Sequence, residues 1–247
     1  MVYSGVANEI TGSINQRYSN VEYYFQLKRT NDSLVKANEM LYNKLRADFH
    51  IPDTLSNIAI DTIRIDSLEY ARRFEYMQAR VVTNSLNQPN NFIQIHRGTA
   101  QNVKRDLGVI DVNNAVVGTT IEVSDNFTVV MSLLNIQSNV SAKLKKSGET
   151  GSVVWDGKEP NVVLLKDISK AVKIAKGDTV ITSGYSEKFP FGLTIGIISS
   201  VINDPASSTY TVKVKTAANF YNLNYVYVIN NLQKEESGEL LKKVNKN

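Results

Sequence analysis

Two hydrophobic periods divide this chain. From Asn20 to Ile51, Tyr24, Asn31, Asn38 and Leu45 fall seven residues apart, and so do Leu27, Leu34 and Leu41. The two series interleave at spacings of three and four, which is the a/d pattern of a heptad seam. No Gly or Pro interrupts this stretch before Pro52, so it predicts one helix over 20–51, roughly 45 Å long. After Phe74 the period falls to two. Phe74, Tyr76 and Gln78 alternate with Glu75, Met77 and Ala79, and similar runs recur at short intervals.

The β runs are expected at Phe74–Thr83, Phe92–His96, Gly108–Ile110, Ala115–Val123, Phe127–Leu134, Val140–Lys145, Gly151–Trp155 and Val162–Leu165. Four more are expected at Thr179–Thr182, Leu193–Val201, Tyr210–Lys215 and Tyr225–Ile229. Asn, Asp, Gly and Pro clusters separate them, as at Asn87–Asn91, Asp156-Gly157 and Asp204-Pro205. Some six strands close one small barrel, so this number predicts two. The fold class is mainly β with a long N-terminal α-helix: a coiled-coil helix followed by two small β-barrels.

The remaining segments carry weaker patterns. Residues 1–19 form a polar lead-in whose Val6, Ile10 and Ile14 suit a helix that Gly5 and Gly12 weaken. Residues 52–73 show no clean period and read as a linker, with a short helix over Ser67–Arg73. The tail, 233–247, is charged and expected to be disordered.

The seam is expected to hold chains together. Asparagine at an a position costs stability but fixes register and favours two strands. Two packings fit, a parallel dimer and a helix laid on its own domain. The narrow apolar stripe with leucine at each d position favours the dimer.

Composition removes whole classes of chemistry. The chain has 247 residues and no cysteine, which excludes disulfides, thiolate zinc sites and cysteine nucleophiles. A net charge of +4 is small, and part of it lies in the Lys242–Lys246 tail. There is no basic stripe with interleaved aromatics for nucleic acid. No run of eighteen apolar residues spans a bilayer, so if the protein is membrane-anchored, the anchor is expected ahead of Met1. Tandem small barrels also describe a chymotrypsin-like protease, but a triad needs His, acid and Ser within reach. His50 and His96 are the only histidines. His50 is expected in a helix's last turn, and a nucleophile loop is absent. No glycine-rich phosphate loop is found, and two lone histidines make no zinc site. No catalytic, cofactor or metal residue is assigned.

One stretch is more specific than the rest. Gly177-Asp178-Thr179-Val180-Ile181-Thr182-Ser183-Gly184 is followed by Phe189-Pro190-Phe191-Gly192-Leu193-Thr194-Ile195-Gly196. This pair of strands resembles the C-terminal signature of the rod shape-determining MreC family. Phe92–Ile95 with Gly98, Val116-Val117-Gly118, Gly151 and the Leu/Asn-rich helix match the same rhythm. Asn102 and Arg105-Asp106 depart from it, though Asn and Asp tolerate left-handed turns.

The resemblance implies structural roles for Gly177, Asp178, Gly184, Pro190, Gly192 and Gly196. It also implies a second barrel (112–184) inserted into a first one (74–111 and 185–232). The function it implies is a non-enzymatic periplasmic scaffold of the cell-elongation machinery, held at the inner membrane by a single anchor. Such a scaffold forms homodimers or filaments and stimulates peptidoglycan synthases. Its implied partners are a class B penicillin-binding transpeptidase, RodA, MreD and MreB. The alternative is a periplasmic adaptor of an efflux or secretion system, which also joins coiled coil to β-domains. Adaptors carry their helical hairpin between β halves, whereas this helix precedes every strand.

Overall fold

The computed structural model describes residues 26–44, 49–50, 62–65 and 68–234. It divides into two units, Met1–Leu41 and Tyr42–Asn247. The lead-in, Tyr24, Leu45 and the tail beyond Lys234 lie outside the described residues.

In the first unit the heptad stretch is helical. Helix α1 runs over 26–42, with a turn at 43–44, so it stops well short of Ile51. The expected helix to 51 is therefore too long. Phe49–His50 forms a strand, β1, paired with the strand Leu68–Arg72, β3. His50 thus pairs with Ala71 in a sheet and is not in a helix's last turn.

The expected linker is also partly strand. Thr62–Ile65, β2, pairs with β3 from Thr62↔Ala71 to Ile65↔Leu68, giving a three-stranded sheet in the order β1-β3-β2. Leu68–Arg72 is strand where a short helix was expected. Ladder hydrogen bonds to β2 and β1 outweigh local helix preference here.

The rest of the second unit holds two closed six-stranded barrels. The first contains β4 (Phe74–Asn84), β5 (Asn90–His96), β6 (Gly108–Asp111), β7 (Val116–Val123), β8 (Thr128–Asn135) and β15 (Tyr225–Asn231). The second contains β9 (Asn139–Leu144), β10 (Thr150–Val154), β11 (Val162–Ser169), β12 (Thr179–Thr182), β13 (Thr194–Ile202) and β14 (Thr209–Thr216). Alternation puts every second residue inside. On β5, Asn91, Ile93 and Ile95 are buried between exposed or half-buried neighbours, and on β9 so are Val140, Ala142 and Leu144.

The second barrel lies in sequence between β8 and β15 of the first, and its limits differ from the expected ones. Strands β7 and β8, expected in the inserted barrel, belong to the first, whereas β13 and β14 belong to the second. The reason is local pairing. β6 and β7 form a tight hairpin around Asp111, whose carboxylate accepts the N–H groups of Asn113 and Ala115 at 2.8 Å. That hairpin holds 112–135 in the first barrel. The chain crosses at the Asn135–Asn139 turn, where the buried side chains of Asn91 and Asn135 bond to the backbone at Leu134 and Asn91.

The two barrel neighbours of β4 pair with different stretches of it. β15 covers it from Phe74 to Arg80, but β5 reaches only Arg80–Asn84. Side chains bond to the β4 backbone in the stretch that β5 does not reach. The Asn43 amide donates to the Tyr76 carbonyl at 3.0 Å, and its oxygen accepts the Tyr76 N–H at 2.8 Å. Arg97 donates to the Gln78 carbonyl at 2.5 Å. Tyr42 stacks on Tyr76 with ring centroids 5.3 Å apart and meets Tyr227 edge-on at 5.1 Å. Burial first, and then the Asp111 carboxylate, raises the Tyr42 phenol above its ordinary pKa, against a bond with Asn114.

Candidate assembly surface and inter-barrel joint

The expected seam residues that can be described, Leu27, Asn31, Leu34, Asn38 and Leu41, all lie on α1 and all are exposed. Leu27 is 49%, Leu34 58% and Leu41 62% exposed, and Met40 beside them 54%. The less accessible positions on α1 are Asp32, Val35, Ala37, Glu39 and Tyr42, and of these Val35 is buried. The heptad leucines of α1 are thus exposed among the described residues.

The signature stretch is built differently. Gly177 donates its N–H to the Ile198 carbonyl at 2.9 Å, and Asp178 closes a turn by accepting the Ala175 N–H at 2.9 Å. Gly196 sits where β13 crosses β14, and a Cβ there would lie 2.1 Å from the Lys215 carbonyl oxygen. No side chain fits. Gly184 and Gly192 flank the loop with φ of 79° and 94°, left-handed values that suit glycine. The Pro190 carbonyl accepts the Thr182 hydroxyl at 2.6 Å, and Thr182 Oγ1 in turn accepts the Leu193 N–H at 3.0 Å.

This loop joins the barrels. Phe189 is 2% exposed and its ring reaches Gly108 at the start of β6, where an added Cβ would stand 2.7 Å from the ring. Lys188 forms an ion pair with Asp106 at 2.5 Å, and Lys234 meets the same carboxylate at 2.8 Å. Burial raises the Asp106 pKa, but the hydrogen bonds and charges of the two lysines outweigh it and hold the carboxyl below its ordinary value. The Asn231 amide donates to the Glu187 carbonyl at 3.0 Å, and the Thr194 N–H to the Asn114 carbonyl at 3.1 Å. The departures noted in the sequence fit this frame: Asn102 and Asp106 both take φ of 64°.

The loop also presents aromatic rings to solvent. Tyr185 is 77% and Phe191 63% exposed, with the Lys143 ammonium 5.6 and 5.4 Å from their centroids. The sequence reading missed Phe189, Asp106 and Asn43 as fixing points. Only Phe189 left a trace, as an aromatic residue inside a glycine-edged turn.

His96 and the acidic side chains that follow it in the first barrel have structural partners. His96 packs on Phe127 at 5.0 Å, Asp111 caps its hairpin and Asp106 holds two lysines. Among the described residues, no three His, Asp or Glu side chains are grouped to hold a metal ion, and no helix is long and apolar enough to cross a membrane.

Comparison with known proteins places this architecture. The family model described as rod shape-determining protein MreC, barrel core, matches residues 81–230. The cell shape-determining protein MreC of Bacillus subtilis is 30% identical over 209 residues, covering 79% of this chain and 72% of that protein. The Listeria monocytogenes protein of the same name is 28% identical over 167 residues, and the match spans 57% of its length. Among solved structures, Listeria monocytogenes MreC matches with a TM-score of 0.59 at 25% identity, over 85% of this chain and 92% of that one. A structure described as a complex between penicillin-binding protein PBP2 and MreC from Helicobacter pylori matches with a TM-score of 0.53 at 16% identity, over 65% and 99%. The barrel-core match covers most of both barrels and includes the whole signature loop, and the relatives extend it to most of the chain: the protein belongs to the rod shape-determining MreC family.

Proposed function

We propose that this chain is a non-enzymatic, dimeric scaffold of the cell-elongation machinery, with its barrels in the periplasm and an anchor in the inner membrane. The observation that carries the dimer is the row Leu27, Leu34 and Leu41, 49% to 62% exposed on one side of α1 with Asn31 and Asn38 between them. Burying such a row against its copy removes apolar area from water, and the paired asparagines select two strands in one register.

On this reading the barrels present rigid surfaces to a class B penicillin-binding transpeptidase and bias it toward activity. The Helicobacter pylori complex of PBP2 with MreC supports a partner of that class. RodA, MreD and MreB complete the set of partners carried over from the family, and filaments would add contacts between barrels. Sedimentation of the whole chain tests the dimer. The native protein is expected to be dimeric, and changing Asn31 and Asn38 together to Leu to give a mixture of oligomers. A native chain that remains monomeric at high concentration overturns the dimer.

A further inference from the structure

The second barrel has an open end that the assembly reading does not use. β13 pairs with β12 only as far as Ile197, and Ile198 still exchanges bonds with Asp178 and Gly177. Beyond that point β13 has a ladder partner only on the β14 side, at Ser200↔Lys213, Val201↔Val212 and Ile202↔Thr211.

Strand geometry fixes which groups face the free side. N–H and C=O of one residue point the same way, and the direction alternates along the strand. The bulge between Ile198 and Ser200 inserts one residue. The backbone groups of Val201 therefore point the same way as those of Ile198, toward the side that β12 has left. No described backbone group meets them there. Such an edge is a template for another strand.

The edge adjoins a cavity of about 430 Å³ lined by Lys170, Val172, Lys173, Ile174, Val201 and Tyr210, among others. Its lining includes two lysines and no carboxylate. Lys170 is held in place: its ammonium donates to the Asp204 carbonyl at 2.7 Å and lies 5.9 Å from the Tyr210 centroid. Lys173 is exposed. Two carboxylates close in sequence to the lining are already engaged, Asp204 by the Ala206 N–H at 2.9 Å and Asp178 by the Ala175 N–H at 2.9 Å.

We propose that this end of the second barrel binds an extended, acidic peptide segment of a protein partner. The segment adds as a strand to β13 beyond Ile198 and bonds to the Val201 backbone. Its inward residues enter the cavity, with a carboxylate against Lys173 and Lys170. Main-chain bonds supply affinity in this mode, and side-chain pockets supply selectivity. The proposal does not depend on dimerisation through α1.

The test uses the whole chain and a blocked Ser-Val-Glu-Val-Glu-Val-Ser peptide, titrated by calorimetry and by amide shifts in NMR. Binding is expected to move the amides of residues 199–203. Replacing both Glu by Lys in the peptide is expected to weaken binding by about tenfold or more, as are Lys173→Glu and Val201→Pro in the protein. Proline at 201 removes an edge N–H that no ladder bond uses, so an unchanged thermal transition in that variant separates lost binding from lost fold. Three results overturn the proposal: no saturable binding, binding indifferent to the peptide's charge and to both variants, or inorganic phosphate displacing the peptide completely at equal concentration. The last would mark a simple anion site.

Discussion

The helix seam and the signature loop are both apolar stretches punctuated by special residues, yet the fold treats them in opposite ways. Leu34 and Leu41 stand 58% and 62% exposed, while Phe189 is 2% exposed and locked between two barrels. The loop's glycines and Pro190 shape a turn that drives one ring inward. The seam's asparagines, Asn31 and Asn38, are by contrast exposed among the described residues. Apolar area buried within one chain specifies a fold; apolar area left in a regular row is what the proposed dimer would bury.

Three changes should sharpen that contrast. The largest effect on stability is expected from Phe189→Ala, which empties the joint at Gly108 and should cost about 3 to 5 kcal/mol, read by chemical denaturation. A loss below about 1 kcal/mol would mean that the joint does not hold the barrels. Next comes Asp106→Asn, which removes the ion pairs with Lys188 and Lys234. The carboxylate is half exposed, so solvent screening limits the loss to about 0.5 to 1 kcal/mol near neutral pH.

The pH dependence of that loss has a definite sign. Because the folded-state pKa is lowered, the contribution of Asp106 is full above the ordinary value of 3.8 and disappears as pH falls through the lowered one. Native and variant unfolding curves should therefore converge in acid, and a gap that widened there would contradict the ion-pair account. The smallest effect on barrel unfolding, within about 0.5 kcal/mol, is expected from Leu34→Ala with Leu41→Ala. The same pair should shift self-association strongly toward monomer in sedimentation.

Much of the architecture was legible in the residues because period two survives wherever one strand face is buried. Val140, Ala142 and Leu144 on β9 are a clear case. The two barrels followed from the number of such runs. Their partition did not, since strand order depends on which hairpins stay local, and the Asp111 turn that binds β7 to β6 uses an ordinary Asp-Val-Asn-Asn sequence. The Thr62–Ile65 strand was hidden for a similar reason, its partner β3 lying in a segment without clear alternation. At the joint, Asp106 and Lys188 are far apart in sequence and each looks like an ordinary surface charge. Only folding brings them within 2.5 Å.

The nested order of the barrels also sets a schedule for synthesis. The second barrel draws all its strands from one continuous stretch, Asn139–Thr216, and can close as soon as that stretch has emerged. The first cannot, because Phe74 at the start of β4 must wait for Asn231 at the end of β15. Closing so long a loop is slow, since the chain entropy must be lost before the pairing compensates for it. Until then the β4 and β6 edges that β15 will cover stay open to other strands. The barrel begun first is completed last, and its waiting edges are where a chaperone would be most useful.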